Sequence, residues 1–130
     1  MSQSTSSYVS APRPGETTWI WLVKMVTGPL LILVLILHLI VNHYIGSLPS
    51  GLMTYKDIVQ YYQHPIIPAI EILFVATVVT HSLIGLRGII LDMNPSRRVL
   101  SAVTWILSLL GIGSVLYGIW LALRIASQGI

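Results

Sequence analysis

No cysteine occurs in the 130 residues, which excludes disulfides, thiolate-bound zinc, iron-sulfur ligation by this chain and a cysteine nucleophile. Charge is almost as scarce: 8% of the residues are Asp, Glu, Lys or Arg, where a soluble domain carries about a quarter. The seven basic residues are scattered, so the net charge of +3 forms no clustered face of the kind that nucleic acid binding needs. Any metal must therefore rest on His, Met or carboxylate groups.

What the chain has instead is apolar length. Hydrophobic residues make up 55% of it, more than one soluble core of this size can bury, so much of that surface must face lipid or partner subunits. Residues 1–18 are the exception: rich in Ser and Thr, with Pro12, Pro14 and Gly15, they read as a flexible N-terminal tail. They lack the basic start and short apolar segment of a cleaved leader, so the expectation is a chain inserted whole.

Residues 19–130 read as one all-α membrane domain with three transmembrane helices, at about 19–45, 66–91 and 99–123, each long enough to cross the hydrocarbon core. Gly28-Pro29 predicts a kink in the first. Arg13, Lys24, Arg87, Arg97 and Arg98 fall on the side of the tail and the second connection, whereas Lys56 and Arg124 fall on the other. That asymmetry predicts the N-terminus inside and the C-terminus outside, with Trp19, Trp21 and Trp120 in the aromatic belts. In the outer loop, after the turn residues Pro49, Ser50 and Gly51, Thr54 to Asp57 form a capping box. It predicts a short interfacial helix with Tyr61 and Tyr62 toward the headgroups.

An ionisable side chain costs about 2.5–3.5 kcal/mol at the centre of a spanning helix on insertion scales, so depth decides which ones matter. Lys24 and Arg124 lie near helix ends and can snorkel, and Glu71 is expected in the first turn of its helix, where the dipole favours it. His81 lies about 16 Å from Asp92 along its helix, beyond the reach of snorkelling. Its stripe is Thr77, His81, Gly85, Gly88 and Asp92, a run of small residues against which a flat group can lie.

Two readings of His81 stand: a neutral imidazole bonded to a neighbouring helix, or an axial ligand of haem iron with one ring nitrogen open and the other held. His38 and His43 lie in the outer third of the first span, at another depth. His38 can serve a second haem near the outer face; His43 is close enough to the interface to be solvated, and His64 is structural. The third span has no ionisable group at depth, and its Ser101, Thr104, Ser108, Gly111, Gly118 and Ala122 read as a packing face.

The run His81-Ser82-Leu83-Ile84-Gly85-Leu86-Arg87, with Asp92 eleven residues after the histidine, resembles the D-type cytochrome b membrane anchor of succinate dehydrogenase and fumarate reductase, respiratory complex II. Thr54-Tyr55 and Tyr117-Gly118 extend the likeness over about three quarters of the chain. The resemblance implies a multi-pass subunit of an energy-transducing bacterial or archaeal cell membrane, paired with a second membrane anchor and carrying an iron-sulfur and a flavoprotein subunit. It implies no catalytic residue of its own, haem b bound through His81, and electrons passing from succinate to quinone with Asp92 in the quinone-site neighbourhood. Arg87 is then placed for a haem propionate. Where many relatives have tyrosine after the aspartate, this chain has Met93, which cannot donate to a quinone carbonyl. The Leu37-His38 to Asn42-His43 segment resembles branches that hold two haems, which makes His38 the second iron ligand. The alternative is a haem-free anchor that only docks the soluble subunits; a transporter is disfavoured by the bare third span.

Overall fold

The computed structural model describes residues 16–44 and 54–129. They form four helices, α1 (Thr18–Tyr44), α2 (Tyr55–Tyr62), α3 (Ile66–Asp92) and α4 (Arg97–Ala126). Ile45, the turn residues 49–51 and most of the expected tail lie outside the described residues.

Each boundary has a local cause. Thr17 opens α1, its hydroxyl accepting from the Ile20 amide at 3.4 Å. Pro29 lies inside α1, which continues through it. Thr54 caps α2 in the expected capping box: its hydroxyl accepts from the Asp57 amide, and the Asp57 carboxylate accepts from the Thr54 amide at 2.8 Å. At the far end of α3, Asn94 takes a left-handed backbone (φ 52°) that stops the helix, a conformation Asn tolerates better than most residues. Pro95 follows, and Ser96 caps α4.

The α3–α4 hairpin loop is therefore only Met93 to Ser96, shorter than the expected spans implied. Arg97 and Arg98 stand in the first turn of α4 instead of in the connection. Cations there oppose the helix dipole by a few tenths of a kcal/mol each, a small penalty that Ser96 capping and exposure of both side chains to solvent offset.

The three long helices are arranged as an open layer. α3 is central and packs on α1 with one side and on α4 with the other; α1 and α4 do not touch among the described residues, and α2 lies across one end against α3 and α4. The small-residue face expected on α4 is the one that meets α3. A Cβ at Gly111 would stand 2.9 Å from Leu83 Cδ1, and one at Gly118 would stand 3.1 Å from Val75 Cγ1. Very little is buried: Val34 and Ile67 are enclosed, while Trp105, Leu109 and Trp120 stand open on α4. A layer with so small a core is apolar outward, as lipid-facing or subunit-facing helices are.

Candidate functional site

Polar side chains gather at two levels of the seam between α1 and α3. Thr27 meets His81 and Asn42 meets Glu71, so the two helices run antiparallel. The levels are about 15 Å apart along α3.

At the level nearer the hairpin, His81 Nδ1 lies 3.0 Å from Thr27 Oγ1. The Thr27 hydroxyl is also 3.3 Å from the Lys24 carbonyl and has a single proton to give. With that proton on the carbonyl, the oxygen accepts from Nδ1–H and the neutral ring keeps its lone pair on Nε2; with it on Nδ1, the ring proton stands on Nε2. That atom has no protein partner among the described residues. Gly28 holds the ring edge, since a Cβ there would sit 3.5 Å from His81 Cε1, whereas added Cβ atoms at Gly85 and Gly88 would meet nothing within 4 Å. Space is thus open beside Gly85, whereas Gly88 is a buried residue of α3. Close by at the start of α1, Lys24 pairs with Glu16 at 2.7 Å.

At the other level, His38 stacks on Phe74 with ring centroids 4.4 Å apart, and its Nδ1 is 3.1 Å from Glu71 Oε1. Asn42 bridges, donating to the His38 carbonyl at 2.8 Å and to Glu71 Oε1 at 3.4 Å, while its own Oδ1 accepts from the Tyr61 hydroxyl at 3.1 Å. One expectation is corrected here. Glu71 stands beyond the first turn of α3, where no acid occurs, and it is held by a histidine and an amide instead of the dipole. The Tyr61 hydroxyl gives the half-buried Asn42 amide oxygen its donor. Burial, and secondarily the Glu71 charge, push the Tyr61 and Tyr62 phenols above their ordinary range.

Arg87 takes the opposite side of α3. Its Nε donates to Thr104 Oγ1 of α4 at 3.1 Å, and it borders a groove of about 500 Å³ whose walls are mostly apolar, including Ile20, Leu83, Ile84 and Leu107, with Thr80 and Ser108 as further hydroxyls. His81 and Arg87 thus face different neighbours, and Asp92 lies exposed at the end of α3 beside exposed Met93. His43 sits edge-on to Tyr44, and His64 is exposed in the turn before α3. Sequence reasoning missed Thr27, Asn42 and Phe74. The i,i+4 spacing of His38 and Asn42 was a usable signal for Asn42.

Three apolar helices of 27, 27 and 30 residues, each passing the length and composition needed to cross a bilayer, define a multi-pass integral membrane protein with imidazoles inside its spans. Residues 3–116 match the profile of the succinate dehydrogenase/fumarate reductase transmembrane subunit family. The chain is 31% identical over 105 residues, 81% of its length and 87% of the relative's, to a succinate dehydrogenase hydrophobic membrane anchor subunit of Archaeoglobus fulgidus. No solved structure matches it. The chain belongs to the succinate dehydrogenase/fumarate reductase transmembrane subunit family, as a membrane anchor.

Proposed function

We propose that this anchor, with a second membrane-anchor subunit, holds the iron-sulfur and flavoprotein subunits of a complex II at an energy-transducing membrane and supplies one axial nitrogen to haem b through His81. The observation that carries this reading is the Thr27 tether. With the Thr27 proton on the Lys24 carbonyl, the hydroxyl holds the His81 proton on Nδ1 and leaves Nε2 as a donor to iron, the arrangement in which ligating histidines are held. Gly85 supports it, because a macrocycle needs a wall without side chains and the space beside Gly85 is open. The second axial ligand then comes from another chain, since the remaining described histidines lie at other levels.

Haem b, when bound, supplies a one-electron relay between the iron-sulfur subunit and quinone. This chain's own residues position and tune. Arg87, held by Thr104 on the α4 side of α3, keeps guanidinium N–H groups for a carboxylate that reaches that side. Asp92, at the hairpin end, orients or protonates groups at the quinone site. The positive-inside distribution supports an inner hairpin and an outer α2.

The test is the spectrum of the purified complex. His81→Ala should remove a reducible b-type absorbance while the four subunits still co-purify. An unchanged reduced spectrum in the assembled variant overturns the haem assignment and leaves a haem-free anchor.

A further inference from the structure

The α4 side of α3, away from His81, carries a cation fixed at the end of an apolar trough. Thr104 donates its single proton to the Leu100 carbonyl at 2.8 Å, so its oxygen accepts from Arg87 Nε at 3.1 Å. One edge of the guanidinium is thereby anchored. Its two terminal amino groups have no protein partner among the described residues.

Arg87 and Thr104 border two spaces at once. One is the groove of about 500 Å³ between α3 and α4, a volume within the usual range of about 300–1,000 Å³ for small-molecule sites. The other, of about 270 Å³, lies toward the hairpin and is also bordered by Arg97, Ser101 and Trp105. No acidic side chain lines either space, and neither arginine is in an ion pair among the described residues. Two cations and two hydroxyls therefore meet at one end of an apolar trough, without a counter-charge.

The trough has a length and a direction. Along α4 it runs from Thr104 to Leu116, about 18 Å at the rise of an α-helix. One leaflet of hydrocarbon is about 15 Å deep, half of a core of about 30 Å. The cationic end is the hairpin end, where α3 and α4 leave the membrane, so the trough follows the path of a single acyl chain. A neutral ring or an apolar helix could fill it but would leave two guanidiniums uncompensated at the edge of hydrocarbon, where unpaired cations are costly. A phosphodiester supplies the missing charge, and its oxygens match the planar fork of a guanidinium.

We infer that the α3–α4 groove binds one phospholipid of net negative headgroup from the leaflet on the hairpin side, with its phosphate between Arg87 and Arg97 and one acyl chain along the trough as far as Leu116. The site is on the opposite side of α3 from the Thr27–His81 contact and does not depend on haem. Thr104 is its positioning residue, since it aims the guanidinium without touching the lipid.

The test uses the whole purified complex, stripped of lipid in detergent and titrated with dioleoyl phosphatidylglycerol, dioleoyl phosphatidylcholine or inorganic phosphate, with bound species counted by native mass spectrometry. The parent should take up one phosphatidylglycerol in preference to phosphatidylcholine, and inorganic phosphate should not displace it, because the chain contributes to binding. Arg87→Gln and Arg97→Gln should each weaken that uptake about tenfold, as expected for loss of one charge-assisted contact. Arg98→Gln, a neighbouring charge that lines neither space, should leave it unchanged. Ile112→Trp, which fills the trough and keeps both arginines, should also weaken it. Equal uptake of the two lipids, displacement by inorganic phosphate, no preferential site in the parent because a partner helix covers the groove, or an equal loss in Arg98→Gln each overturns the inference. So does Arg87→Gln that keeps its lipid and loses b-type absorbance, which would give the guanidinium to a haem carboxylate. If Arg87→Gln does not assemble, Arg97→Gln and Ile112→Trp decide the matter, and parental uptake in both overturns it.

Discussion

At the residue scale, Thr27 does what no amount of apolar packing can do for His81: it gives Nδ1 a polar partner from a neighbouring helix. Thr27→Val keeps the shape and removes the acceptor, stranding Nδ1–H at a cost of about 1–3 kcal/mol if water cannot reach it. Loss of such an outer contact lowers metal affinity by about 10–100-fold. The b-type absorbance of the variant complex should therefore fall during gel filtration in detergent, while Thr27→Ser retains it. Asp92→Asn keeps size and removes charge, so it should slow quinone reduction, with haem content and succinate oxidation by artificial acceptors intact; a parental quinone rate across pH would reduce Asp92 to a helix-end residue. His81 was legible in the sequence because depth alone makes an imidazole conspicuous in a spanning helix. Thr27 was not, since a threonine costs little in such a helix and its partner lies 54 positions away on another one. Glu71 was misread for a related reason. Position along the helix shows how deep a side chain is, but not which neighbour the register brings to it, and here the register brings His38.

At the element scale, the α3–α4 seam separates two glycines that look alike in sequence. At Gly111 an added methyl would press on Leu83 Cδ1, the free end of a flexible side chain. At Gly118 it would press on Cγ1 of Val75, whose branched χ1 has little freedom in a helix, so the backbones must part. Gly118→Ala should accordingly lower the thermal midpoint of the solubilised complex more than Gly111→Ala, although the latter has the shorter contact. The short helix α2 carries a pH dependence of its own. Hydrogen bonds from the Thr54 hydroxyl and amide hold the Asp57 carboxyl below its ordinary value of 3.8. A group depressed on folding stabilises above its unfolded pKa and ceases to do so as pH falls through the lower folded value. Protection of the α2 amides, relative to their intrinsic exchange rates, should thus fall below about pH 4 and be flat above it, and Asp57→Asn should abolish that dependence. This cap and the three long helices were readable from sequence, because turn chemistry and apolar length are local properties. The order of the helices in the layer was not, because it is settled by which faces interlock.

At the scale of the whole molecule, the proposed direction across the membrane has a direct check, helped by the absence of native cysteine. A cysteine at exposed Gln60 of α2 should react with an impermeant maleimide added outside intact cells, and one at exposed Ser96 in the hairpin should react only after the membrane is opened. The reverse pattern would invert the topology. The open layer has a further consequence for the cell's handling of the chain. Since α1 and α4 never close on each other, the lone subunit presents both flanks of α3 and the outer sides of its neighbours to whatever diffuses in the bilayer. Its half-life should then depend on supply of its mate: made in excess, it is an orphan that membrane proteases can extract. Pulse-chase labelling with and without the second anchor would reveal a dosage control built into the shape of the bundle, in which the slower-made chain sets the number of complexes.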